Sequence, residues 1–263
     1  MRPVLFFILL FNFSFAQTIF SFNEINSVKD PGLKTSLKNQ EKTVNAILKI
    51  LSIGDEGRRI METRTSGKMS SLSPENPIEN KILKADSLLL IQYRSFEKNK
   101  IAIKVKGDEK VSALFYTQAI DKINASYVKY NKGIGIFQKY TVYDEKKKMK
   151  RYHVFPGCEK FADNPDELNT CGKKHVANAI SSQGISEDAD SSRARPLTLI
   201  YGVTTKGEFL VKQMYMSSND FFLDMSVISA LKAYYKNKKV LPAIAEDGLP
   251  MHTLRYYDLK LEM

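Results

Sequence analysis

The sequence predicts an α+β protein made of two tandem small domains. Strand and helix patterns follow one another in the same order in both halves of the 263-residue chain, which indicates an internal repeat. Hydrophobic residues make up 43% of the chain, enough to fill one or two ordinary cores. The densest run of charge, from Lys146 to Arg151, falls between the two halves and is interpreted as a solvated junction.

The second half has the clearer pattern. Alternating residues from Leu197 to Val203 predict a strand, residues 205–207 a turn, and Phe209 to Met216 the returning strand. A helix follows, whose apolar residues have helical spacing: Val227, Ile228, Leu231, Tyr234 and Tyr235. A turn at residues 247–248 then leads into a last strand from Met251 to Leu261.

The first half repeats this order. Leu88 to Tyr93 is interpreted as a strand, residues 98–100 as a turn, and Ile101 to Val105 as the returning strand. The helix that follows has apolar residues at the same spacing as its counterpart: Ala119, Ile120, Ile123 and Tyr127. A first helix around Val44 to Ile47 matches one around Val176 to Ile180. The alternative is that the two halves share only an order of strands and helices that is common in α+β proteins, without a duplication.

The N-terminus has the layout of a secretory signal peptide. Arg2 precedes an apolar run from Val4 to Phe15, and the small residues Ser14 and Ala16 place a cleavage site before Gln17. The run is shorter than the ~20 residues that a membrane-spanning helix needs. We therefore expect residues 1–16 to be removed and the protein to be exported, with an uncleaved membrane anchor as the alternative.

The two cysteines, Cys158 and Cys171, lie thirteen positions apart. In an oxidising compartment an isolated pair favours a disulfide, and two free, partly buried thiols are the alternative. A metal site is not expected, because two thiols and three scattered histidines (His153, His175 and His252) do not have the spacing of a four-ligand zinc site.

Catalysis is also not expected. Nearness in sequence suggests a thiol nucleophile at Cys158 with His153 and Glu159, but a sulfur in a disulfide cannot attack a substrate. The chain has no glycine-rich phosphate loop and no serine nucleophile elbow, so we expect no cofactor. The net charge of +11 permits anionic partners, yet an exported protein meets little nucleic acid, and we expect none as a partner.

Four features stand out in the second half: the segment Phe155 to Glu159, Cys171 in the following helix, the turn from Thr205 to Phe209, and the turn at residues 247–248. Together they resemble the C-terminal domain of TonB, in the form common in Bacteroidetes. The resemblance covers residues 153–263, and the repeat makes residues 23–144 a degenerate copy. It implies that each domain is a three-stranded antiparallel sheet packed on two helices.

The resemblance also implies a periplasmic domain that binds the plug region and TonB box of outer-membrane transporters by strand addition. The candidate partner-binding edge is the last strand, with His252, Leu254, Tyr256 and Lys260 on one face together with Asp258. The alternative is that this strand is central in its sheet or paired in a dimer.

The chain departs from the family in one respect that bears on function. An energy transducer needs a membrane anchor and a long proline-rich spacer, whereas this chain has nine scattered prolines and a start that resembles a cleavable signal. The sequence therefore favours a periplasmic adaptor that binds an outer-membrane transporter or another envelope protein. The alternatives are a structural or sensory envelope protein that forms a homodimer, and a membrane-anchored transducer.

Overall fold

The structure is a computed structural model, and it describes residues 19–56, 77–100, 108–138, 148–190 and 196–259. Helices fill the described residues between 19 and 138, which we call the helical half. The described residues between 148 and 259 contain all the described strands, and we call them the sheet half. The chain is thus of the α+β class, as the sequence predicts.

Three long helices build the helical half: α1 (Pro31–Leu51), α2 (Pro77–Lys98) and α3 (Glu109–Gln138). α1 begins at Pro31, where the Asp30 carboxylate accepts a hydrogen bond from the Leu33 amide over 2.5 Å and caps the helix. α1 packs against both α2 and α3. The helices around Val44 to Ile47 and around Ala119 to Tyr127 are confirmed, since they lie within α1 and α3.

The strand predicted at Leu88 to Tyr93 is wrong, because these residues lie in the middle of α2. Burial explains the outcome: Ala85, Leu89 and Phe96 are fully buried, whereas Leu88 is 42% and Ile91 59% exposed. The buried positions follow a helical period and not the alternation of a strand. The turn predicted at residues 98–100 is the end of this helix, and the strand predicted at Ile101 to Val105 lies outside the described residues.

The sheet half contains two antiparallel sheets and two helices. In chain order the elements are β1 (Met149–Arg151), α4 (Pro165–Ser181), β2 (Leu197–Val203), β3 (Phe209–Met216), α5 (Phe221–Tyr235), β4 (Ala243–Ala245), β5 (Pro250–Met251) and β6 (Thr253–Leu259). The larger sheet has the order β3-β2-β6, and the smaller sheet has the order β1-β4-β5.

The hairpin predicted from residue 197 to residue 216 is confirmed. Thr198 pairs with Met216 at its open end, and Val203 with Phe209 next to the turn. Gly207 has φ 75° in that turn, a conformation that glycine adopts readily. The turn at residues 247–248 is also present, with Gly248 at φ 80°. The last strand, predicted from Met251, is interrupted at His252, so that β6 begins at Thr253, and residues 260–261 of the prediction lie outside the described residues.

α5 joins the two halves. Nearly every residue from Phe221 to Leu231 is buried, so this helix is covered on all sides. It packs on α4 and β3 in the sheet half and on α2 and α3 in the helical half. Aromatic rings from the two halves contact each other at this junction. The ring centres of Phe96 and Phe222 are 5.4 Å apart, and those of Tyr127 and Phe221 are 5.5 Å apart. The helical half and the sheet half therefore share one hydrophobic core.

Candidate partner-binding edge

β6 lies at the end of its sheet. It pairs with β2 along its whole length, from Leu197 opposite Leu259 to Val203 opposite Thr253. Within the part of the chain that the structure describes, no strand pairs with the other side of β6. An end strand can accept a further strand through main-chain hydrogen bonds.

Side chains along β6 alternate between two environments. Thr253, Tyr257 and Leu259 are buried on the face that packs on the helices, whereas Tyr256 and Asp258 are exposed on the other face. This alternation agrees with the two faces that the sequence predicts for the strand.

The predicted edge residues have different locations. Leu254 and Tyr256 lie on β6, His252 lies just before its first residue, and Lys260 lies outside the described residues. Leu254 and His252 cover Gly202 of the neighbouring strand, since a Cβ atom on that glycine would lie 2.8 Å from Leu254 Cδ2 and 3.3 Å from His252 Cε1. The glycine lets these two side chains lie flat on the outer face of the sheet.

The opposite end strand, β3, is covered by the helical half. α3 packs directly against it. The Asp86 carboxylate of α2 accepts a hydrogen bond from the backbone of Met214, and burial raises the pKa of this carboxyl group to about 6. At the C-terminal end of β3, the Asn131 side-chain amide of α3 donates to Ser217 Oγ over 2.8 Å. The two ends of the sheet therefore differ: helices of the helical half pack against β3, whereas β6 lies at the opposite end, beyond β2.

A buried polar cluster fixes this arrangement. The fully buried Asp224 carboxylate accepts hydrogen bonds from the hydroxyls of Ser217 (2.5 Å), Ser218 (2.6 Å) and Tyr127 (2.9 Å). Asn124 Oδ1, also from α3, accepts a hydrogen bond from the Phe221 amide over 2.9 Å at the start of α5. Burial raises the pKa of Asp224 to about 6. The sequence analysis does not predict this cluster. The one feature of the local sequence that indicates it is Asp220, which caps α5 by accepting a hydrogen bond from the Leu223 amide.

A small cleft lies beside β6 on its helix-facing side. It is lined by Tyr152, His153, Phe155, Pro165, Leu168, Asn169, Gly172, Tyr201 and Arg255. The Arg255 guanidinium stacks on Tyr152, with Cζ 3.7 Å from the ring centre. Within the described residues, no carboxylate forms an ion pair with Arg255. The cleft therefore presents a positive charge next to the sheet edge.

His153 forms the floor of this cleft in its neutral form. Its Nδ1 lies 3.1 Å from Thr253 Oγ1 and its Nε2 lies 3.4 Å from the Tyr201 hydroxyl. Burial, together with the positive charge of Arg255, lowers the pKa of His153 to about 4. His153 is thus a structural core residue that holds β2 and β6 together.

The disulfide predicted between Cys158 and Cys171 is present, with the two Cα atoms 5.9 Å apart. It ties the turn at Gly157 (φ 85°) to α4. Phe155, two residues before Gly157, is buried and stacks on His175 with the ring centres 5.2 Å apart. The cysteines therefore hold an aromatic cluster in place, and neither sulfur is a free nucleophile.

Two further polar groups, the His175 imidazole and the Asp188 carboxylate, also have structural partners. His175 Nδ1 lies 2.7 Å from the Tyr235 hydroxyl, and Asp188 forms an ion pair with Lys100 over 2.6 Å. In the described ranges, no cluster of three or more His, Cys, Asp or Glu side chains is arranged to hold a metal ion. None of the described helices has the length and apolar character of a bilayer span.

Comparisons with known proteins give no assignment. No protein-family model matches the chain, and neither the curated proteins nor the solved structures contain a significant match.

Proposed function

We propose that the protein is an exported adaptor that binds an extended segment of an envelope protein by strand addition to β6. The partner is the plug region or TonB box of an outer-membrane transporter. The observation that carries this proposal is the difference between the two ends of the sheet: β3 is covered by the helical half, and among the described strands β6 is the end strand on the far side. The end of a sheet is where strand addition takes place.

The architecture of the sheet half supports this assignment. Its larger sheet has three antiparallel strands and packs against α4 and α5, and its C-terminal strand is an end strand. This is the arrangement that the resemblance to the TonB C-terminal domain implies. The disulfide agrees with an oxidising compartment such as the periplasm.

The proposal assigns the TonB-like domain to residues 153–263 alone. A second copy in residues 23–144 requires a strand at Leu88 to Tyr93, and that segment is helical. We propose instead that the helical half covers β3 and buries α5, so that strand addition is confined to β6. The role of the helical half is then structural.

Peptide binding tests the proposal. TonB-box peptides carrying a fluorophore are titrated with the mature protein, and binding is followed by fluorescence anisotropy. We expect Kd values in the micromolar range. Two matched peptides are N-methylated, one at the odd and one at the even residues. Each keeps its side chains but loses the amide donors along one of its two edges. We expect only the peptide that loses the donors facing β6 to lose binding. Equal binding by both methylated peptides and by the unmodified peptide contradicts strand addition.

Proline substitutions test the same contact from the protein side. Successive residues of a strand direct their amides to opposite sides, so one of Leu254→Pro and Arg255→Pro removes a donor on the outer side of β6 and the other removes a donor to β2. The variant that keeps the wild-type circular dichroism spectrum is the informative one. We expect it to lose peptide binding at least tenfold, and unchanged binding by a folded proline variant argues against the proposal.

Self-association through β6 is the competing use of the same edge. Sedimentation velocity of the mature protein distinguishes the two: a monomer that binds peptide supports the adaptor, and a dimer without peptide affinity supports a structural role. N-terminal sequencing of the exported protein tests the anchor, because a new start at Gln17 excludes a membrane-anchored transducer.

A further inference from the structure

We propose that a cavity between β1 and the residues that lead into α4 binds a small zwitterion, an α-amino acid with an apolar side chain. The cavity has a volume of about 570 Å³, which is in the range of small-ligand sites. Among the described residues that line it, none belongs to β6. The site is therefore independent of strand addition.

The positive wall of the cavity is formed by Lys150 and Arg151, two successive residues of β1. In a regular strand, successive side chains point to opposite faces. The pairing of β1 with β4 is irregular at this point, since Met149 lies opposite Ala245. Arg151, two residues further on, lies opposite Ile244, which is the very next residue of β4. β1 thus contains one extra residue, and such a bulge redirects side chains, so that both cations line the cavity.

The Arg151 guanidinium is partly buried and lacks a counter-ion in the described part of the chain. Its Nη2 donates a hydrogen bond to the Pro242 carbonyl over 3.2 Å, whereas its Nε is buried and has no partner among those residues. Buried donors in proteins are nearly always paired. A guanidinium in this state favours a bound carboxylate, because its planar fork can hold both carboxylate oxygens.

The opposite wall carries one carboxylate, that of Asp163. It is exposed, and within the described ranges it forms no ion pair. A simple anion is repelled by this carboxylate, whereas a ligand that carries both signs of charge is complementary to both walls. An α-amino acid has this pattern, with its carboxylate towards Arg151 and its ammonium group towards Asp163.

The remaining lining of the cavity favours an apolar side chain on the ligand. It consists of aliphatic residues and one aromatic ring: Met149, Tyr152, Ala162, Pro165 and Ile244. The ring of Tyr152 is held in place by the Arg255 guanidinium, whose Cζ lies 3.7 Å from the ring centre. Burial of an apolar side chain against this surface adds to the charge pairing.

The test uses L-leucine and two analogues that each lack one of its charges. Isocaproate is leucine without the ammonium group, and isoamylamine is leucine without the carboxylate. Binding to the isotope-labelled mature protein is followed by backbone amide shifts in nuclear magnetic resonance spectra. The variants are Arg151→Gln, Asp163→Asn and the control Arg94→Gln, which removes a charge from an exposed site on α2.

For the wild type we expect leucine to bind with a Kd below about 1 mM. Loss of the carboxylate removes the pair with the partly buried Arg151, so isoamylamine should bind about tenfold more weakly. Loss of the ammonium group removes a pair with the exposed Asp163, so isocaproate should bind about threefold more weakly. Arg151→Gln should bind leucine no better than isoamylamine, and Asp163→Asn should bind leucine no better than isocaproate. Arg94→Gln should match the wild type.

The comparison of the three ligands on the wild type requires no variant, so it is decisive even if Arg151→Gln does not fold. The proposal is overturned if leucine causes no shifts at concentrations of about 10 mM, or if isoamylamine or isocaproate binds as tightly as leucine. It is also overturned if folded Arg151→Gln keeps the preference for leucine over isoamylamine. None of these results affects strand addition at β6, which the TonB-box peptides test separately.

Discussion

The helical half and the sheet half are stabilised in different ways. The helical half carries no cysteine, and long helices packed on one another satisfy their own backbone groups. The sheet half has a disulfide and a larger sheet that ends, among the described strands, at β3 and β6, and an end strand is a site where another chain can pair. Because the helical half packs over β3, the difference between the halves becomes a difference between the two ends of one sheet.

Removing the disulfide tests the sheet half most strongly. The double variant Cys158→Ser and Cys171→Ser releases a loop of sequence separation 13, which is expected to lower the free energy of unfolding by about 3 kcal/mol. For a chain of this size the melting temperature falls by roughly 6–12 °C. Calorimetry with and without reductant is the measurement. Reductant lowers the melting temperature of the wild type and leaves that of the variant unchanged, and a wild type insensitive to complete reduction contradicts the prediction.

Substituting Gly54 tests the packing of the helical half. A Cβ on this glycine would lie 2.6 Å from Tyr130 Cα, so the residues after α1 cross α3 at a distance that excludes a side chain. We expect Gly54→Ala to lower the free energy of unfolding by about 2 kcal/mol.

Gly32→Ala is the matched control for that substitution. Gly32 is exposed in the first turn of α1, and its added Cβ would approach only Asp30 Oδ1, at 3.2 Å. Urea denaturation should show no loss of stability for this variant, since alanine is the better helix former. Equal stabilities of the two variants would show that the close helix crossing does not form.

Asp224 should make the junction between the halves more stable in mild acid. Its pKa is about 6 in the fold and near 3.8 when unfolded, so the folded state binds the proton more tightly. As the pH falls from 7 to 5, the wild type should gain about 1 kcal/mol of stability relative to Asp224→Asn. Urea denaturation at the two pH values measures the gain. The exposed Asp163→Asn serves as control, and a wild-type gain no larger than that of Asp224→Asn refutes the prediction.

His153 should act in the opposite direction within the sheet half. Its pKa is lowered to about 4, against an ordinary value of 6.5, so its contribution to stability is complete above pH 6.5 and declines as the pH falls towards 4. Between pH 6.5 and pH 5 we expect the wild type to lose about 1.5 kcal/mol relative to His153→Gln. Nuclear magnetic resonance titration of the imidazole checks the cause, and a midpoint near 6.5 would show that the ring is not buried.

The local sequence pattern predicted secondary structure correctly for the hairpin of the sheet half and wrongly for α2. The hairpin from residue 197 to residue 216 has alternation, a glycine turn and short strands, so each local signal agrees. The apolar run Leu88 to Ile91 has no period of its own, and such a run suits a strand or a helix equally. Burial of Ala85 and Phe96, several residues away on either side, decided for the helix.

The candidate site was predicted only in part. The sequence identifies the last strand and its two faces, but not Arg255 with its stacking partner Tyr152, because these residues lie about a hundred positions apart in the chain. The Asp224 cluster was missed for the same reason, since its donors come from both halves.

The sequence by itself determined the α+β class, the disulfide pair, the hairpin and the existence of a final strand, because each depends on neighbouring residues or on a pair with no rival. Only the tertiary structure decided that the described residues of the first half are helical, that they cover β3, and that β6 lies at one end of the sheet formed by the described strands. Strand order depends on contacts between residues far apart in the chain, and local propensity carries no information about which strands become neighbours.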